Sequence, residues 1–123
     1  VSGADDPRFM RGTDSAETLR RSVESSQRQA AGTSFRILMS HRSVAFDTAA
    51  PLGVNLTLSG HTHGFQLGMG GRSLFDSSYP DRYIWGQYTK GNRQLYTSAG
   101  VGHWLPFRLG CPPEAPLIVL GKS

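Results

Sequence analysis

Cysteine is nearly absent from this 123-residue chain: Cys111 is the single one, so an internal disulfide and with it a disulfide-stapled mini-protein are excluded. Lysine is almost as scarce, with Lys90 and Lys122 the two among thirteen basic residues, and no basic run occurs anywhere. Without such a run there is no stripe of the kind that tracks a nucleic-acid backbone. No apolar stretch reaches the roughly 18 residues that a membrane-crossing helix needs. Internal repeats and low-complexity segments are missing too. Val1-Ser2-Gly3-Ala4-Asp5-Asp6-Pro7 has no initiator Met, no basic n-region and no apolar h-region, so the chain is expected to start in the middle of something longer.

What is present suits one domain or part of one. Hydrophobic residues make up 37% and charged residues 18%, apolar enough to bury a core and too weakly charged for disorder. The net charge of +4 is spread out: residues 1–50 hold seven basic and six acidic side chains, residues 51–123 six and three. Arg72, Arg82, Arg93 and Arg108 carry most of the second half's positive charge. A guanidinium grips phosphate with two parallel donors, so an anionic substrate is compatible with this balance, although solvated surface charge is the ordinary account of each one.

Asp14 followed three residues later by Glu17 has capping-box spacing, and Ala16, Leu19, Val23 and Ala30 mark one face of a helix that Gly32 ends. Phe35-Arg36-Ile37-Leu38-Met39 is then a short apolar run, expected as a buried parallel strand ending at Ser40-His41. A short helix from Val44 to Ala50, with Ser43 as its cap, is broken by Pro51 and Gly53. Val54-Asn55-Leu56-Thr57-Leu58 follows as a second strand. Strand, helix, strand with so little linker predicts a βαβ unit with parallel neighbours. Beyond Gly64 the chain turns glycine-rich and aromatic. Residues 82–88 and 94–98 flank Lys90-Gly91-Asn92 as an antiparallel hairpin, and further strands are expected at Pro106 to Leu109 and Leu117 to Leu120. The expected class is α/β, a parallel βαβ unit followed by antiparallel strands.

The histidines draw attention because of where they fall. His41 ends the first strand of the parallel pair and His61 ends the second, so both emerge on the carboxyl edge of the sheet, where ligand sites form in open α/β folds. His61 and His63, two apart, would share a face on an extended backbone, with Thr62 turned away. Gly60 and Gly64 allow tight bending on either side. Three converging imidazoles suit a transition metal, since neutral imidazole binds Zn, Fe or Mn at about 2.0–2.2 Å.

Ser40-His41 after an apolar strand, then Ser59-Gly60-His61-Thr62-His63-Gly64-x-Gln66, resembles the closing metal-binding motifs of calcineurin-like metallophosphoesterases. The stretch from Leu95 through Gly100-Val101-Gly102 and Pro106-Phe107-Arg108-Leu109-Gly110-Cys111-Pro112-Pro113-Glu114 is similar to the tail of their bacterial, membrane-associated branch, and Gly3-Ala4-Asp5-Asp6-Pro7 to that branch's segment before the helix. Arg42-Ser43 stands where the branch commonly has Asn-Pro, and Phe65 where it has Gly. The family's upstream motifs, Asp-x-His, Gly-Asp-x-x-Asp and Gly-Asn-His-Glu, have no counterpart here. The resemblance therefore implies the C-terminal half of a four-layer α/β/β/α sandwich, residues 1–123 being part of one metallophosphoesterase domain whose N-terminal half is absent.

That resemblance implies two divalent or trivalent transition metal ions (Mn, Fe or Zn), with His41 and His61 on one and His63 on the other, acting on a phosphomonoester or phosphodiester. Two dications a few Å apart repel unless an anion screens them, and three neutral imidazoles supply no anion. The chain alone is thus expected to be inactive until an N-terminal half or a second chain completes the site, and a swapped homodimer is one route to that. Peripheral association with a bacterial inner membrane or cell envelope is implied by the branch. His103 is the candidate proton donor or phosphate contact, against an ordinary loop histidine. Asp47 reads as a surface or capping residue, Asp5 and Asp6 as loop-turn carboxylates, Cys111 as structural. Tyr79, Tyr83, Trp85, Tyr88 and Phe107 read chiefly as core, against a lipid- or base-facing surface. The alternatives are a mononuclear three-histidine zinc site and a non-catalytic module that binds an anionic partner through Arg82 and Arg93.

Overall fold

A computed structural model of the chain describes residues 1–4, 15–78 and 83–121. The expectations for Asp5, Asp6, Asp14, Tyr79 and Arg82 lie outside the described residues. The elements run β1 (Ser2–Ala4), α1 (Ser15–Gln29), β2 (Ile37–Ser40), α2 (Ala45–Ala49), β3 (Leu56–Ser59), a 3-10 turn (His63–Gln66), β4 (Gly68–Met69), β5 (Arg72–Ser73), β6 (Gly86–Lys90) and β7 (Arg93–Thr97). Five strands form one sheet in the order β1-β2-β3-β7-β6, mixed α/β in class. β1, β2, β3 and β7 are mutually parallel and β6 alone is antiparallel, paired with β7 across the Gly91-Asn92 turn. The expected hairpin is therefore present, but its second strand continues the parallel sheet instead of starting a separate antiparallel region. β4 and β5 form a small ribbon of their own.

The parallel core follows from the βαβ spacing. α2 crosses between β2 and β3 and buries Ala45 and Ala49 against Leu38 and Val54, with Leu19 and Val23 of α1 closing the cluster. Phe46, Ala50, Tyr83 and Leu95 make a second cluster, and Trp85, Ala99 and Cys111 a third. On α1 the buried face is Leu19, Val23 and Gln27, whereas Ala16 is exposed and Ala30 only half-buried. Gln27 takes the inner position because its amide donates to Ser2 Oγ, 2.9 Å away, which ties α1 to β1. The outer face carries ion pairs, and the guanidinium groups of Arg20 and Arg21 hold the Glu17 carboxyl down at about 2.

Three expectations are corrected. Ser43 does not cap α2: Val44 occupies the N-cap with no side-chain bond, and the Ser43 carbonyl instead accepts from Phe46 N–H at 3.0 Å. Phe35–Met39 is not a fully buried strand, because Phe35 is 52% and Met39 56% exposed while Leu38 is wholly buried. Among the described residues the helices pack on the Leu38 face of the sheet, and the row Met39, Leu58, Tyr96 lies on the other. Neither late strand forms. Residues 117–120 run as coil, with Leu117 88% and Val119 80% exposed, and leave a groove of about 750 Å³ between Ile118, Val119, Leu120 and the open face at Leu56 and Tyr96. Residues 106–109 make a single bridge, Leu67 to Leu109, because the backbone just before it is occupied by the side chain of Gln66. Among the described residues no helix is long and apolar enough to cross a membrane.

Candidate metal centre

β2 and β3 end side by side, with Ser40 paired to Ser59, and Ala4 at the end of β1 paired to Ser40. His41 and His61 leave this edge together. His61 Nδ1 stands 2.8 Å from His41 Nε2, the rings meeting edge-on at a centroid distance of 4.6 Å. This is a hydrogen bond between the two rings. Two nitrogens on one ion at about 2.0–2.1 Å stand about 2.9 Å apart at right angles and about 3.3 Å apart in a tetrahedron, so an ion taking the place of the shared proton asks for only a small spreading of the pair.

His63 goes elsewhere, and the backbone explains why. His61 has φ 75°, His63 52°, Gly64 62°, Phe65 51° and Gln66 60°, so the chain coils through the left-handed region instead of staying extended. For residues other than glycine that conformation is disfavoured, and runs of it persist only where surrounding contacts hold them. Thr62 supplies one such contact. It is buried and its hydroxyl donates to the Ile84 carbonyl at 2.5 Å. Gly64 supplies another, since a Cβ there would come within 2.4 Å of Cys111 Sγ. The resulting turn sends the His63 imidazole against Gly100, Gly102 and Trp104, whose ring lies 5.2 Å away. His63 Nδ1 is buried with no hydrogen-bond partner among the described residues. A buried ring nitrogen left this way needs a partner from outside these residues.

Among the described residues no three His, Cys, Asp or Glu side chains group closely enough to hold one ion. The structure thus brings His41 and His61 together and holds His63 apart from them. The donors present, paired imidazoles and one orphaned ring nitrogen, fit transition-metal ions as part of a larger ligand set. His103 is exposed in the loop that follows Gly102. Asp47 is engaged on α2, accepting from Tyr83 Oη at 2.8 Å and pairing with Lys90.

Three residues frame the site in ways the sequence did not announce. Gln66 is fully buried and spends both ends of its amide on the loop beyond His103: Oε1 accepts from the N–H groups of Trp104 and Leu105, while Nε2 donates to the carbonyls of Leu105 and Phe107. Arg108 donates to the carbonyls of Ala99, Gly100, Gly102 and Cys111, so it binds the glycine loop beneath His63 and is not spare surface charge. Glu114 accepts from Ala99 N–H at 2.7 Å, Trp85 Nε1 at 3.1 Å and Tyr96 Oη at 3.2 Å. Burial and then the Glu114 charge push the Tyr96 hydroxyl's pKa up. Arg72 is also committed, to the Gln87 carbonyl at 2.7 Å and to the Tyr88 ring 4.3 Å away. Tyr83 and Trp85 are buried and Tyr88 half-buried as core, whereas Phe107 is exposed. Cys111 is buried, and burial raises its thiol's pKa, as suits an inert structural sulfur.

Two curated relatives share this region of sequence. The Phosphodiesterase YaeI of Escherichia coli (strain K12) is 33% identical over 86 residues, 69% of this chain and 32% of that protein. The Uncharacterized metallophosphoesterase YkuE of Bacillus subtilis (strain 168) is 34% identical over 91 residues, 72% of this chain and 32% of that protein. Together they support a metallophosphoesterase-like family. The matched part of this chain spans about a third of each relative's length. No protein-family model and no solved structure matches the chain.

Proposed function

We propose that this chain supplies the histidine side of a binuclear metal centre that hydrolyses phosphoesters, and that it is inactive without the carboxylate side. The observation that carries the reading is the His41–His61 pair, two ring nitrogens 2.8 Å apart on adjacent parallel strand ends. His41 and His61 would hold one ion and His63, through its orphaned Nδ1, the other. Such ions supply positive charge against the phosphoryl oxygens and lower the pKa of bound water. The chain's own residues set the scene for that chemistry. Thr62 pins the turn to Ile84, Gln66 and Arg108 lock the loops on either side of His63, and His103 is free to reach a leaving-group oxygen from the exposed loop.

The missing anionic ligands belong, in this proposal, to a preceding half of the domain or to a second chain. The sheet face away from the helices, where Met39 is exposed and Leu58 and Tyr96 are half-buried, supports a four-layer α/β/β/α sandwich, in which a second sheet would cover it. Edge strands β1 and β6 with that open face also favour association of the isolated chain, including a swapped homodimer, which a sizing column reads directly. On the family resemblance, the working place is a bacterial inner membrane or cell envelope. A single three-histidine zinc site is the weaker reading, because no three such donors group among the described residues.

Calorimetric titration of the isolated chain with Mn²⁺ or Zn²⁺ tests the proposal. Binding is expected, falling at least tenfold in His61→Ala, with no turnover of bis-p-nitrophenyl phosphate. Undiminished binding in the variant, or normal turnover by the isolated chain, would refute it.

A further inference from the structure

Beside His63 the molecule has an apolar concavity of about 280 Å³ lined by Phe65, Leu67, Phe75, Trp104 and Leu105. Three separate stretches of chain meet there. Trp104 is 55%, Leu105 42% and Phe75 38% exposed, so these large apolar side chains line an open cavity instead of closing a core. Their rings are nonetheless ordered against one another: Phe65 meets Phe75 edge-on at 5.6 Å and Trp104 at 6.0 Å, and Trp104 meets His63 at 5.2 Å. The walls are fixed by the backbone. Phe65 is held at φ 51°, a conformation disfavoured for an aromatic residue, and the next residue, Gln66, clamps Trp104 and Leu105 through their N–H groups. An exposed apolar cavity with a pre-formed wall marks a binding site more often than a packing fault.

The chemistry of the lining selects the occupant. Among the described lining side chains only Trp104 carries a hydrogen-bonding atom, so a nucleobase or sugar would leave polar edges unpaired against them, whereas hydrocarbon loses nothing. The volume lies just under the roughly 300–1,000 Å³ of pockets that enclose a whole ligand, so it takes one arm of a larger molecule. Resting on the phosphoesterase reading, we propose that this cavity is a specificity pocket for the alkyl or acyl arm of an amphiphilic phosphoester, whose phosphate lies toward His63.

The proposal is tested by titrating the 123-residue chain with hexyl, octyl and decyl phosphate, each kept below its micelle concentration, and following the backbone amide NMR signals of residues 65–67 and 104–105. Burying each methylene is expected to tighten binding about fourfold until the pocket is full. Trp104→Ser and, from a different stretch of chain, Phe75→Ser should flatten that dependence with the remaining amide spectrum unchanged, and whichever of the two folds suffices. Arg21→Ala, on the outer face of α1, should keep it. An affinity independent of chain length, or a slope that survives both pocket variants, overturns the proposal. So does binding to phosphatidylcholine vesicles with no binding of the monomeric alkyl phosphates, which would make the cavity a bilayer contact. The matching alcohols, hexanol to decanol, separate the two readings: an equal slope for the alcohols, with no Zn²⁺-dependent gain from the phosphate, leaves the hydrocarbon pocket standing and counts against the phosphoesterase.

Discussion

Replacing Gln66 by leucine keeps the volume of a fully buried side chain while removing four hydrogen bonds at once. Two N–H groups and two carbonyls of residues 104–107 lose their partner. Each group left unsatisfied in a closed interior would cost about 1–3 kcal/mol. The side chains of Trp104, Leu105 and Phe107 are exposed, however, so the loop can lift and let water replace the amide. The cost is then limited to the lost bonds, and Gln66→Leu is expected to lose about 2–4 kcal/mol. Urea unfolding measures the loss. Amide hydrogen exchange locates it: Trp104 and Leu105 should lose protection first, while Leu38 and Leu56 in the sheet keep theirs. A loss under about 1 kcal/mol, or unchanged protection at Trp104 and Leu105, would refute the assignment of Gln66 as the clamp of this loop.

Gly64→Ala should destabilise by about 2–4 kcal/mol, since its Cβ meets Cys111 Sγ at 2.4 Å and its φ is 62°; adding Cys111→Ala should restore part of the loss, and the same urea titration detects the rescue. At alkaline pH, Lys90 should weaken the fold. Its pKa is raised, first by the hydrogen bond to Asp47, so its contribution is complete below the unfolded value near 10.5 and is lost as pH rises through the higher folded value. Asp47→Asn should shrink that alkaline decline without abolishing it, because burial also raises the Tyr88 and Tyr96 hydroxyls and the Cys111 thiol, which lower stability over the same range; stability curves at pH 9 and 11.5 compare the two proteins directly. Both groups are partly exposed, so the difference should shrink in high salt.

How much the sequence determined can be judged residue by residue. The short apolar runs ending at Ser40 and Ser59, with a helix-sized link between them, dictate a parallel pair, because so brief a crossover leaves no other way to bury both strands. From that alone His41 and His61 had to meet on one edge, and they do, at 2.8 Å. The hairpin around Gly91-Asn92 was equally local. Tertiary structure alone decided where His63 goes. An extended backbone would have paired it with His61, but Thr62 bonding to Ile84 and the Gly64–Cys111 contact, at separations of 22 and 47 residues, coil the chain instead. The roles of Gln66, Arg108 and Glu114 were likewise hidden, since each side chain satisfies backbone groups in stretches that no periodicity links to it. Local spacing dictated the parallel pair and which of its ends adjoin, but not the late strands expected at 106–109 and 117–120, which do not form. Where a polar side chain spends its hydrogen bonds depends on which distant backbone groups folding leaves without partners, and only the assembled fold supplies that.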